Sequence, residues 1–199
     1  MYAAGVLPVC WIGSQMFVLV GLDVRDGTWS DFAGKYEKRD KDIKWTAARE
    51  FFEETYGCII DARTMRQKLD HAIEIRGKTQ NHHPFYCYIV EVPFMPHLRH
   101  TFSNQLTFMK QCNVHRMYLE KNDIMYVSLD TLYNKLALRS VFRDTLKEAR
   151  EVLIEISQGP RAFRQRVESE PRNSVTSGTT ANDRCYAHSS WEVPGSLGC

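Results

Sequence analysis

Glu50, Glu53 and Glu54 stand at i, i+3 and i+4 of one predicted helix. The 3.6-residue period puts all three carboxylates on one helical face, within about one turn. Like charges at that spacing repel and weaken a bare surface helix by a few tenths of a kcal/mol per pair. A divalent cation removes the repulsion. Hard carboxylate oxygens suit Mg²⁺ or Mn²⁺, and Mg²⁺ keeps several water-filled octahedral positions that phosphate oxygens can occupy. The pattern therefore points to metal-assisted attack of water on a phosphoryl group. A solvated acidic face explains the helix equally well when the helix is taken alone. The upstream residues separate the two readings. Gly34 ends a loop that follows an apolar strand, and Asp40 and Asp42 lead into the helix. A loop glycine entering an acidic helix can bring a backbone carbonyl beside the carboxylates as a further ligand.

The stretch Ala33-Gly34-Lys35-Tyr36-Glu37, then Asp40, then Thr46-Ala47-Ala48-Arg49-Glu50-Phe51-Phe52-Glu53-Glu54-Thr55-Tyr56-Gly57, resembles the Nudix box. That pattern has a Gly, an acidic residue six positions on, then Arg-Glu-apolar-x-Glu-Glu and a closing Gly. The resemblance implies a hydrolase that splits a diphosphate bond in a nucleoside diphosphate linked to another group. It implies that Glu50, Glu53 and Glu54 bind Mg²⁺ or Mn²⁺, and that one of them also serves as general base. Gly34, or Ala33 before it, would offer a carbonyl to a metal. Arg49 would hold the carboxylates by ion pairing, and Asp40, where the family usually has Glu, would brace the loop through Arg49. Family members often supply one more acid from a loop before a late strand. Glu120 is the candidate here, as ligand or base, with Asp123 the alternative.

Three departures mark a variant box. The Gly34-to-Arg49 spacing is one residue longer than the commonest form, with the extra residue in the Asp40–Lys44 loop, where insertion costs little. Ala33 replaces the first Gly of the usual pair. Tyr56 holds the closing Gly position and Gly57 follows it.

Other residues carry weaker signals. Trp29 and Phe32 could stack on a base or wall a pocket, although packing explains both as well. Lys35, Arg25 and Arg76 are candidate phosphate contacts on charge grounds, with plain surface placement as the default. His82-His83 reads as a polar turn, because no further ligand is spaced to join it.

These residues need a scaffold. Met1–Ile12 and Met16–Leu22 read as two strands joined by a Gly13-Ser14 turn, and residues 23–34 as a loop. Lys44–Tyr56 is the acidic helix, with Asp42 as N-cap and Gly57 just past its end. Its other face, Ala48, Phe51 and Phe52, docks on a sheet. Residues 62–69 form a short helix or connector. Residues 72–76 and 84–92 pair as a hairpin, residues 101–112 form a helix, and 124–128 a short strand followed by a Leu-rich turn. Residues 140–156 close the fold as an amphipathic helix on Phe142, Leu146, Ala149, Leu153 and Ile156. Strands and helices mix without a regular βαβ repeat. The expected class is α/β of the α+β type, a mixed sheet sandwiched between helices, over residues 1–157.

From residue 158 the composition turns to Ser, Gly, Pro and Arg, which predicts a disordered tail to residue 199. Its first part carries Arg161, Arg164, Arg166 and Arg172. With Lys110, His115 and Arg116, these could line a groove for RNA, making an RNA 5′-end pyrophosphohydrolase the alternative activity. A catalytically silent nucleotide-binding module is the alternative of another class, disfavoured because no carboxylate of the triad is missing.

The 199 residues carry a formal charge of only +2 and are 43% hydrophobic. That allows a substantial core and offers no basic field demanding DNA. No apolar run is long enough to span a membrane, and the apolar start lacks a charged leader. The cysteines form no CxxC pair and read as core thiols in a reducing, cytoplasmic setting. Nothing in the sequence specifies an oligomeric state.

Overall fold

The computed structural model describes residues 1–169. Its strands are β1 (Ala3–Ile12), β2 (Gln15–Asp23), β3 (Trp29–Ser30), β4 (Phe32–Lys35), β5 (Ile73–Lys78), β6 (Pro84–Glu91) and β7 (Lys121–Val127). The helices are α1 (Ile43–Glu54), α2 (Ala62–Lys68), α3 (Leu98–Gln111), α4 (Leu129–Asn134), α5 (Ser140–Glu148), α6 (Arg150–Ile156) and α7 (Pro160–Ser169).

β1 organises a seven-stranded mixed sheet. From Ala3 to Val9 it runs parallel to β6, with Ala3 opposite Phe85 and Val9 opposite Glu91. Its other edge is divided. The first half pairs antiparallel with β4, Ala4 opposite Gly34, and the last residues pair with β2, Val9 opposite Val18. β7 adds to β2, and β5 to β6, both antiparallel.

Side chains alternate across this sheet, and both faces are covered. Ala3, Leu7 and Val9 face a core completed by Phe142, Leu146, Ala149, Leu153 and Ile156 of the α5–α6 segment. Ala4 and Val6 face the opposite core, which is closed by Ala47, Ala48 and Phe51 of α1, Met65 of α2 and Phe102 of α3. Burial on both faces is why β1 reads as a near-continuous apolar run. The expected class, a mixed α+β sheet between helices, is the observed one. Among the described residues no helix is long and apolar enough to cross a membrane.

Three details differ from expectation. Residues 23–34 are not all loop, since β3 and β4 form within them and β4 adds to the sheet edge. The closing helix breaks at Ala149 into α5 and α6, though its five predicted apolar residues are all buried. The expected tail is ordered at its start: α7 packs through Phe163, whose ring lies 5.6 Å from that of Trp11. Val167 packs half-buried on the same core, in a segment that otherwise carries Arg161, Arg164 and Arg166. The remainder of the predicted tail, from residue 170, lies outside the described residues.

Candidate functional site

α1 begins where the sequence indicates. The Asp42 side chain accepts from the Trp45 amide at 2.7 Å, satisfying one orphan N–H of the first turn. The helix ends in two left-handed residues, Tyr56 (φ 52°) and Gly57 (φ 66°). Tyr56 is held in that conformation by its surroundings. Its hydroxyl donates to the Lys121 carbonyl at 2.7 Å and its ring stacks on Phe102 at 4.8 Å. The variant closing position thus ties the end of α1 to the start of β7. Phe51 docks edge-on against Phe32, ring centres 5.4 Å apart, which fixes the carboxylate face relative to β4.

Arg49 is the hub of that face. Its Nε and Nη2 fork onto Asp40 at 2.9 and 3.0 Å, and Nη2 also donates to the Lys35 carbonyl at 2.9 Å. Nη1 lies 2.9 Å from both Glu53 and Glu50. Asp40 is nearly buried and also accepts from the Glu37 amide and the Thr46 hydroxyl. Burial works to raise its carboxyl, and the donors from Arg49, Glu37 and Thr46 outweigh it and hold the group below the usual range. The bracing geometry is therefore present despite the longer loop.

Glu50 rests directly on the backbone of Gly34. A Cβ built on Gly34 would lie 2.2 Å from the Glu50 carboxyl carbon, so only glycine admits this approach. Burial pushes the Glu50 carboxyl up to about 7; Arg49 opposes this, while Glu53 and Glu120 add to it. Glu54 is buried more deeply. Its Oε2 accepts from the Ala33 amide at 2.9 Å, and its Oε1 lies 3.5 Å from Lys121 Nζ. Burial raises it well above the carboxylate range against the pull of Lys121, with Glu50, Asp23 and Glu120 adding to the rise. Glu53 is the most open of the three, at 39% side-chain exposure, and also pairs with Arg39 at 2.8 Å. Glu120 is exposed, yet near enough for its charge to act on Glu50, Glu54 and Tyr56. Asp123 is engaged by Arg99.

Glu50, Glu53, Glu54 and Glu120 supply hard oxygen donors. Burial and mutual repulsion leave the two inner ones in need of further positive charge, which is the condition a divalent cation relieves. This donor chemistry fits Mg²⁺ or Mn²⁺. In the present arrangement Arg49 engages Glu50 and Glu53, and Ala33 and Lys121 engage Glu54. Among the described residues no three acidic, His or Cys side chains converge as a finished cage.

On the other side of β4 lies a cleft of about 270 Å³. Its walls include Tyr2, Asp31, Gly34 and Phe142, and Arg25, Lys35 and Arg139 supply its cations. Thr79 to Asn81 and His83, from the β5–β6 turn, complete it. Lys35 is thus at the cleft. Three other sequence candidates are not. Phe32 is fully buried in the α1-side core, because β4 alternation turns it and Gly34 toward α1 while Asp31, Ala33 and Lys35 face the other way. Trp29 is half-buried, packed on the α5-side core, and pairs with Leu138. Arg76 is exposed and pairs with Glu74.

Sequence reasoning did not find Lys121. This side chain is fully buried, with Nζ donating to Asp23 at 2.9 Å, Ser30 at 2.6 Å and the Asp31 carbonyl at 3.1 Å. Burial works to lower its ammonium, and the charges of Glu54, Asp23 and Asp31 outweigh it. Starting the last strand at residue 124 hid the signal, since extending it to 121 sets Lys121 opposite Asp23 across the β2–β7 bulge. The Arg-bearing α7 lies at the Trp11 end of β1, eight residues from Ala3, or about 26 Å at strand rise. It cannot form one groove with the cleft.

No family model and no curated protein matches the chain. Solved structures similar to it include an Ap4A hydrolase of C. elegans in a binary complex, at 14% identity and TM-score 0.49 over 76% of this chain and 98% of that one. The NUDIX domain of Shewanella oneidensis NrtR complexed with ADP ribose is similar at 11% identity and TM-score 0.47, over 77% and 88%. A NUDIX hydrolase from Nitrosomonas europaea is similar at 16% identity and TM-score 0.43, over 75% and 69%. At such identities the likeness is one of chain path and carries no residue roles.

Proposed function

We propose that the protein is a Nudix-type hydrolase that uses water to split a diphosphate bond in a nucleoside diphosphate linked to another group. The observation that carries this reading is the Glu50 carboxylate seated on the bare backbone of Gly34, which ties the acidic helix to the strand bordering the cleft. A Mg²⁺ or Mn²⁺ ion held by Glu50, Glu53, Glu54 and Glu120, with the Gly34 or Ala33 carbonyl, would supply Lewis-acid activation of water and neutralise phosphoryl charge.

The chain's own residues do the rest. Arg49 orients Glu50 and Glu53 and is itself locked by Asp40. The Ala33 amide and Lys121 fix Glu54. Glu120, exposed at the site's edge and least constrained, has the access a general base for water requires. Lys35, on the strand between cleft and carboxylates, can meet a phosphate. The Arg-rich segment lies at the far end of β1, so nothing in its placement favours the RNA reading. The intact set of carboxylates favours an enzyme over a silent binding module.

The test is a phosphate-release screen across nucleoside diphosphate conjugates, coenzyme A and capped RNA, with Mg²⁺ and with Mn²⁺. Glu53→Gln should abolish turnover and leave the circular dichroism spectrum unchanged. Near-normal turnover of that variant with Mg²⁺ would sink the site assignment.

A further inference from the structure

Asp31 is an unusual wall for a cleft. The residue is 6% exposed, yet it borders the cavity. The one donor its carboxylate receives among the described residues is the Cys87 thiol, 3.7 Å from Oδ2. The Lys121 ammonium beside it donates instead to Asp23, Ser30 and the Asp31 main-chain carbonyl. Lys121 and Arg139 are the cations whose charge acts on this carboxylate. An ionised carboxylate is acceptor-only, and a buried acceptor left with one weak thiol is costly unless a ligand brings N–H groups to it. Arg25, Lys35 and Arg139 give the same cavity a cationic side, suited to phosphates. Val141 and Phe142 add apolar wall.

We propose that this cleft is a nucleobase site selective for guanine, with Asp31 as the residue that reads the base. Guanine presents two adjacent donors, its ring N1–H and its 2-amino group, to a single carboxylate. Adenine and cytosine each set an amino donor beside a ring-nitrogen acceptor, which the Asp31 charge repels. Uracil offers one N–H between two carbonyls. The attached phosphates meet Arg25, Lys35 and Arg139. Their onward path across β4 at Gly34 to the carboxylates rests on the hydrolase reading; the base contact does not.

The test is calorimetric titration of the full chain with GDP, IDP and ADP in EDTA, where no turnover occurs. GDP should bind about tenfold more tightly than ADP, and also than IDP, which lacks only the 2-amino group. Asp31→Asn, which offers an amide donor in place of one acceptor, should bring the three to within about twofold. GDP and ADP binding equally to the unaltered protein would overturn the proposal, as would a guanine preference that survives in folded Asp31→Asn. If that variant does not fold, the GDP–IDP comparison decides alone. Guanine-selective binding without hydrolysis under Mg²⁺ would retire the hydrolase reading and keep the base site. Hydrolysis without guanine preference would do the reverse.

Discussion

Gly34→Ala isolates the contact on which the proposed chemistry depends. The new Cβ would lie 2.2 Å from the Glu50 carboxyl carbon, whereas ordinary contact begins at 3.4 Å. The carboxylate must therefore retreat by about 1.2 Å, the difference of those two distances. Gly34 is not among the glycines with positive φ, so alanine fits the strand backbone without strain and the fold is retained. The atom in the way is the end of a flexible side chain. Glu50 can swing outward at the cost of its pairing with Arg49, about 1 kcal/mol because Arg49 keeps Asp40 and Glu53 as partners. In a chain of this length that lowers the midpoint of unfolding by about 2–4 °C. Displacing a catalytic group by about 1 Å costs about a hundredfold in rate. The assay pairs phosphate release under saturating Mg²⁺ with a thermal melt. The expected result is turnover down about a hundredfold and a melt within about 4 °C of the unaltered protein. Adding Glu50→Asp, which shortens the acid by one methylene, should recover part of the lost rate. Turnover within threefold of normal would show that the Glu50–Gly34 contact is irrelevant to catalysis and refute the reasoning.

Other perturbations test the frame around the site. Lys121→Met leaves Asp23, Ser30 and Glu54 without their buried cation and should destabilise the protein by about 3–5 kcal/mol, measured by urea denaturation; a loss below about 1 kcal/mol would mean the ammonium is not the linchpin described. Phe163→Ala should cost about 3 kcal/mol if α7 belongs to the domain, and an unchanged melt would return that segment to an accessory role. Asp31 sets a pH dependence. Its folded value of about 6 lies above the ordinary 3.8, so the associated stability is full below about 3.8 and is lost as pH rises through 6. The ceiling on that loss is about 3 kcal/mol. Asp31→Asn should flatten this slope between pH 4 and 6.5 in urea titrations, and parallel slopes for the two proteins would count against the burial of this charge.

The acidic helix, its cap at Asp42, both β1–β2 strands, the hairpin and the apolar side of the closing helix were legible because each rests on local periodicity or turn chemistry. So was Arg49 as an ion-pairing residue, through the motif resemblance. What escaped depended on register. Phe32 and Asp31 are neighbours, and which of them faces the cleft is decided by the pairing of β4 with β1, which a residue-by-residue reading does not contain. Trp29 was open for the same reason. Lys121 looked like a loop lysine because the bulge beside Asp23 delays its pairing partner by one residue. Phe163 sat in a stretch carrying Arg161, Arg164 and Arg166, and its partner, Trp11, is remote along the chain.

The cleft is bordered by Met1 and Tyr2, while α7 docks at the opposite end of β1. This polarity has a practical side. An affinity tag fused ahead of Met1 would be tethered at the mouth of the cavity, where a polyhistidine run could compete with ligand or chelate added metal. Binding measured on that fusion before and after tag removal should differ.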